Sequence, residues 1–124
     1  MPDSSRRASV AAHAAADKNG TDVVVLDVGE IISITEAFVL VSASNTRLVR
    51  TIVDEVELAL KLADDEGPRS VEGLDDASWV LMDYGDVIVH VFLAETREFY
   101  GLDRLWADAP RVDWESFAPL AERS

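Results

Sequence analysis

The chain lacks cysteine altogether and has only two histidines among its 124 residues. The absence of cysteine excludes disulfide bonds, thiolate zinc sites and a cysteine nucleophile. The two histidines, His13 and His90, are far apart in the sequence and show no metal-ligand spacing to each other. Chemistry that depends on these residue types therefore has little support.

Long apolar runs are also missing, since no stretch approaches the roughly twenty residues needed to cross a bilayer. The first segment, with Arg6 and Arg7 ahead of several alanines, is too weakly apolar for a signal peptide. Asp3 and Asp17 argue against a transit peptide. We therefore expect a cytoplasmic protein with no membrane partner.

Basic residues are scarce, with 11 Lys and Arg against 24 Asp and Glu and a net charge of −13. Such a surface repels phosphate backbones, and Arg6 with Arg7 is the only adjacent basic pair. Direct sequence-specific binding of nucleic acid is therefore not expected. The charge favours a basic protein partner, although acidity that only keeps the domain soluble is an open alternative.

The apolar residues, 48% of the chain, are arranged as in an ordinary α/β domain. Alanines spaced along residues 4–18 predict a helix that docks loosely or packs against a partner subunit. The short apolar runs 23–28 and 37–43 predict two antiparallel strands. Ser44 or Asn45 can cap a second helix, whose acidic end at residues 64–66 is expected to fray. Its predicted core face has helical spacing and comprises Leu48, Val49, Ile52, Val53, Val56, Leu60 and Ala63.

The stretch 79–106 carries most of the aromatic residues. Residues 79–84 fit the period-two pattern of a strand, with Trp79, Leu81 and Asp83 on one side, Gly85 and Asp86 form a turn, and 87–93 is an apolar run broken only by His90. This pattern predicts an antiparallel β-hairpin. Residues 95–106 then have helical spacing, with a break expected at Gly101. With a short edge strand at 69–71, the chain is predicted to form a mixed sheet of about five strands flanked by helices.

The same stretch closely resembles the ribosomal silencing factor family, also called Iojap-like. The features shared with that family are a strand tryptophan, an Asp-x-Gly-Asp turn, a Val-Ile-Val-His strand and an Arg-x-x-Tyr-x-Leu-x-x-Leu-Trp ending. In this chain they are Trp79; Asp83, Gly85 and Asp86; residues 87–90; and Arg97, Tyr100, Leu102, Leu105 and Trp106. The resemblance extends over residues 21–106 and includes neither terminal segment.

The resemblance implies a nucleotidyltransferase-like fold without the enzyme's active site. It also implies a protein that binds the large ribosomal subunit through ribosomal protein L-fourteen, sterically blocks joining of the small subunit and represses translation when nutrients are scarce. No cofactor or metal is implied, and free members tend to form homodimers. The predicted units are an N-terminal helix and linker (1–20), the silencing factor domain (21–107) and a C-terminal tail (108–124), in which Val112, Trp114 and Phe117 are expected to fold back. The predicted partner-binding residues are Trp79, Asp83, Tyr84, Asp86, His90, Tyr100, Leu102, Leu105 and Trp106.

Two other functions remain open. A homodimeric module for assembly of the large subunit would use much the same surface. A nucleotidyltransferase would need a Gly-Ser phosphate-binding element and closely spaced carboxylates for two metal ions. The chain contains no Gly-Ser pair, so we expect no enzyme activity. His90 is expected to be a hydrogen-bonded histidine of the sheet rather than a catalytic base, and Asp83 and Asp86 are expected to bond the turn backbone.

Overall fold

The protein, described by a computed structural model over residues 3–116, is a mixed α/β fold. The predicted order of helices and strands is confirmed, with one strand more than expected. The elements are α1 (Asp3–Asp17), β1 (Thr21–Asp27), β2 (Ala37–Ala43), α2 (Thr46–Asp64), β3 (Ser70–Glu72), β4 (Trp79–Asp83), β5 (Val87–Leu93), α3 (Ala94–Tyr100), α4 (Leu102–Leu105), β6 (Arg111–Val112) and a final 3-10 turn (Trp114–Ser116).

The strands form one sheet in the order β3-β4-β5-β2-β1-β6. Only β2 and β5 run parallel; all other neighbours are antiparallel. A parallel pair needs a long crossover connection, which α2, β3 and β4 provide. The strand absent from the prediction is β6, which pairs with the edge of β1. Val112 and Trp114 do fold back onto the domain, and the Trp114 indole N–H donates to the carbonyl of Val23 at 3.2 Å. Phe117 lies outside the described residues.

One face of the sheet is covered by α1 and α2. Helix α2 begins at the predicted cap, where the side chain of Asn45 accepts a hydrogen bond from the Leu48 amide at 2.8 Å. Of its predicted core residues, Val49, Ile52, Val53, Val56 and Leu60 are buried, while Leu48 and Ala63 lie at the margin. The regular spacing of apolar residues in α2 was therefore a sound guide to its packing.

Helix α1 does not dock loosely, contrary to the sequence-based expectation. Ala8, Ala11, Ala12 and Ala15 have no exposed surface, and they belong to the same core as α2 and the sheet. Small side chains bury little area each, but they allow two helix backbones to approach closely and make many dispersion contacts. The N-terminal helix is therefore part of the core.

Two arginines of α1 neutralise the acidic end of α2. Arg6 contacts Asp64 at 2.6 Å, and Arg7 contacts Asp64 at 3.3 Å and also pairs with Glu66. The carboxylates at this end oppose the helix dipole, and the arginine charges offset that repulsion. The sequence prediction of a frayed end took no account of these partners, which come from a distant part of the chain.

The opposite face of the sheet has a second apolar cluster with less cover. Its buried members include Phe38, Leu40, Phe92 and Leu102, and Trp79, Ile88 and Trp106 pack at its margin. The short helices α3 and α4, the segment leading to β6, and Val28 and Ile32 after β1 contribute to this side. Part of this apolar sheet face is therefore exposed to solvent.

Candidate protein-binding surface

The hairpin register determines which side chains share the less covered face. Trp79 lies opposite Phe92, Leu81 opposite His90, and Asp83 opposite Ile88. Side chains alternate between faces along a strand, so Val80 and Met82 point to the other side and are fully buried under the helices. The predicted residues Trp79, Asp83 and His90 therefore lie on one face.

The kink at Gly101 adds residues of α3 and α4 to this face. Gly101 has a φ of +61°, which ends α3 in the left-handed conformation and redirects the chain into α4. Leu102 is buried, whereas Tyr100 is 57% and Leu105 is 67% exposed. Phe99, which a continuous helix would place beside Leu102, is 81% exposed.

Ring contacts connect the two helices to the sheet. The Tyr100 ring lies 5.3 Å from the Trp79 ring, and the Trp106 ring meets Phe38 edge to face at 5.1 Å. Trp79 and Trp106 are half-buried. We call the three aromatic residues Trp79, Tyr100 and Trp106, together with the exposed neighbour Leu105, the aromatic surface. Large rings with one side packed and the other side open are typical of the residues that dominate protein interfaces.

His90 lies beneath the aromatic surface as a hydrogen-bonded histidine. Its Nδ1 accepts a hydrogen bond from the Trp79 indole N–H at 3.2 Å, and the rings of Phe38 and Phe92 lie 4.7 and 5.8 Å away. Burial lowers the pKa of His90 from 6.5 to about 4. The imidazole is therefore neutral at neutral pH, with its proton on Nε2, and it orients the Trp79 indole.

The three predicted residues around the turn have different positions. Asp83 accepts a hydrogen bond from the Gly85 amide at 2.7 Å, as expected for an aspartate in a turn. Tyr84 is buried among the core residues on the helix-covered side, and this burial raises its pKa to about 12. Asp86 pairs with Arg7 of α1 at 2.5 Å. Tyr84 and Asp86 are thus not brought together with the aromatic surface.

Arg97, predicted only as a motif residue, and Asp103, not predicted at all, form an ion pair next to the aromatic surface. The Arg97 side chain donates to both carboxylate oxygens of Asp103, at 3.0 and 2.9 Å. This hydrogen bonding holds the pKa of Asp103 below its usual value. An arginine in the short segment after β5, with an acid six positions later and Ser42 in an otherwise apolar strand, was the available signal.

Two other kinds of site have no support in the part of the chain that the structure describes. Residues 3–116 contain no cluster of three or more His, Cys, Asp or Glu side chains able to hold a metal ion. Within the same residues no helix has both the length and the apolar character to span a membrane.

Comparisons with known proteins identify the family of this chain. A family model described as "Ribosomal silencing factor during starvation" matches residues 1–124. A ribosomal silencing factor RsfS from Bacillus subtilis is 38% identical over 106 residues, covering 84% of this chain and 87% of the relative. A mouse protein named "Mitochondrial assembly of ribosomal large subunit protein 1" is 33% identical over 92 residues, which are 72% of this chain and 40% of that protein.

A solved structure gives the same result for the fold. A crystal structure of a Chromobacterium violaceum protein superposes with a TM-score of 0.77 at 30% identity, covering 82% of this chain and 84% of that one. The family resemblance seen in the motif residues is thereby confirmed. Because the family model matches the whole length and the Bacillus subtilis relative matches over most of its own, this chain belongs to the ribosomal silencing factor (RsfS) family.

Proposed function

We propose that this protein binds the large ribosomal subunit through ribosomal protein L-fourteen and keeps the small subunit from joining. Occupation of the L-fourteen surface would block docking sterically and lower translation under nutrient limitation. Such a mechanism requires no turnover, nucleotide or metal, so we propose a binding protein of the cytoplasm rather than an enzyme.

The observation that carries the proposal is the aromatic surface. Trp79 and Trp106 pack at the margin of the apolar cluster on the sheet face that α1 and α2 do not cover, the Tyr100 ring lies 5.3 Å from the Trp79 ring, and Leu105, next to Trp106 in the chain, is 67% exposed. In a small domain, a contiguous and partly open apolar face of this kind marks a protein interface more often than it marks an accident of packing.

The charge supports a basic protein as the partner. With a net charge of −13, the domain is repelled by ribosomal RNA and attracted to a basic ribosomal protein. Glu72 lies opposite Leu81 in the sheet register, and Asp83 is two residues further along β4, so carboxylates border the apolar face. An apolar centre with an acidic border complements a basic protein surface that has apolar residues of its own.

Binding to isolated subunits tests the proposal directly. The purified protein should sediment with large subunits and not with small ones, and it should reduce the formation of whole ribosomes when the two subunits are mixed. Leu105→Glu should weaken sedimentation, because Leu105 belongs to the aromatic surface and is already 67% exposed, so the fold tolerates the change.

Leu62→Glu is the matched control, since Leu62 is a helical leucine with 70% exposure on α2, away from the aromatic surface. Equal weakening by both variants would indicate a general charge effect and would argue against this surface. Failure of the natural sequence to sediment with large subunits would refute the proposal itself.

The name of the mouse relative favours a second function, assembly of the large subunit. In that case the aromatic surface would bind an incomplete large subunit during its assembly. Cells without the protein would accumulate incomplete large subunits, whereas a factor that only blocks joining would leave them complete. A homodimer that uses the aromatic surface would compete with either function. Sedimentation at increasing protein concentration would detect that dimer.

A further inference from the structure

The two short helices that carry part of the aromatic surface are held by one buried arginine. Arg97 is 6% exposed and is the only buried Lys, Arg, Asp or Glu between residues 4 and 116. An isolated buried charge is strongly unfavourable, so a guanidinium at such a position has to be paired and fully hydrogen-bonded.

The hydrogen bonds of Arg97 reach three other elements. Its Nε and Nη2 groups donate to the Asp103 carboxylate in α4, as a two-pronged contact. Its Nη1 group donates to the carbonyl of Asp22 in β1 at 2.7 Å and to Ser42 Oγ in β2 at 3.0 Å. The guanidinium also lies 6.0 Å from the centre of the Phe92 ring. One side chain thus joins both sides of the kink to the sheet.

The backbone of β1 departs from the regular ladder at this contact. The register between β1 and β2 shifts between Thr21 and Val24, and Asp22 has a φ of +50°. A bulge of this kind leaves a carbonyl outside the ladder, and here Arg97 donates a hydrogen bond to that carbonyl. A non-glycine residue in the left-handed region is uncommon, so the contact stabilises a conformation that the strand alone would disfavour.

We propose that Arg97 is a positioning residue for partner binding, which holds Tyr100 and Trp106 in the orientation that the partner recognises. The inference rests on the proposed function and assigns a role in it to a residue that does not belong to the aromatic surface. Tyr100 follows Arg97 by three residues in α3, and Trp106 follows Asp103 by three residues at the end of α4. A change in the angle between the two helices would therefore move both rings relative to Trp79 and Phe38.

Arg97→Lys is the informative substitution. Lysine keeps the positive charge but cannot make the planar two-pronged contact with Asp103 while also reaching β1 and β2. Arg50→Lys is the matched control, because Arg50 also donates two hydrogen bonds to carbonyls, those of Leu74 and Asp75, on an exposed part of α2. We expect Arg97→Lys to weaken binding to large subunits by about tenfold or more and Arg50→Lys to leave it unchanged.

Amide hydrogen exchange of the free protein separates positioning from general stability. If Arg97 positions the two helices, Arg97→Lys should increase exchange in residues 94–106 while α1 and α2 keep their protection. A uniform increase throughout the chain would show that Arg97 only stabilises the core and would overturn the proposal. Full-affinity binding by Arg97→Lys would overturn it as well.

A double substitution tests whether Arg97 acts through the aromatic surface. If it does, Arg97→Lys with Tyr100→Ala should bind about as weakly as Arg97→Lys alone, because a misplaced Tyr100 has little left to contribute. Strictly additive losses would contradict the proposal. If the natural sequence does not bind large subunits, the proposed function fails, and the exchange pattern still decides whether Arg97 holds α3 and α4 in place.

Discussion

Mild acid should destabilise this fold through His90. The pKa of the buried imidazole is lowered to about 4, whereas in the unfolded chain it returns to its ordinary value of 6.5. Between these values the unfolded state binds more protons than the folded state, so the free energy of unfolding falls as the pH drops from about 6.5 towards 4. At about pH 5 the loss relative to about pH 8 amounts to about 2 kcal/mol, which is a large part of the stability of a small domain.

The experiment compares the natural sequence with His90→Gln by urea denaturation at about pH 8 and about pH 5. Glutamine does not titrate, and its amide oxygen can accept the Trp79 indole hydrogen bond in place of Nδ1. Because the other ionisable groups are common to both proteins, their contributions cancel in the difference between the two stabilities. We expect the advantage of the natural sequence to shrink by about 2 kcal/mol at the lower pH. An unchanged difference would refute a buried, neutral His90.

Three further predictions concern stability and use urea denaturation. Arg7→Ala should cost about 2 kcal/mol because it leaves three carboxylates without their shared cation, whereas Arg6→Ala, at a more exposed position, should cost less than about 1 kcal/mol. Equal costs would contradict the role given to Arg7. Gly73→Ala should cost about 2 kcal/mol or more, because the glycine has a φ of +92° and a Cβ there would lie 2.2 Å from a strand carbonyl oxygen; Gly67→Ala, with nothing within 4 Å, is the neutral control. Ala12→Leu should cost about 1–3 kcal/mol through overpacking, and a tolerated leucine would indicate that α1 docks loosely after all.

Local patterns in the sequence were sufficient for the hairpin and for α2. A period-two strand and a short apolar run on either side of a Gly-Asp turn, and helical spacing after an Asn cap, are short-range features, so their prediction did not depend on the rest of the fold. Strand β6 could not be predicted in this way. Its two residues have no pattern of their own, and they are extended because the edge of β1 is available for pairing.

The sequence predicted which segment of the chain carries the candidate site, but not which of its side chains share one face. Motif residues such as Trp79, Tyr100 and Trp106 do lie close together, yet the predicted partner-binding residues also include Tyr84, which packs on the opposite side of the sheet. Adjacent residues at the end of a strand can turn to opposite faces, and a motif does not record which face is covered.

By itself, the sequence determined the family, the acidic character and the order of the helices and strands, because motif residues, charge and periodicity are properties of the chain. Only the tertiary structure decided that α1 belongs to the core, that Arg7 neutralises the end of α2, and that Arg97 joins α3 and α4 to the sheet. Each of these contacts connects residues from different parts of the fold. Their energies depend on burial and on distances that arise only when the sheet and its helices have assembled.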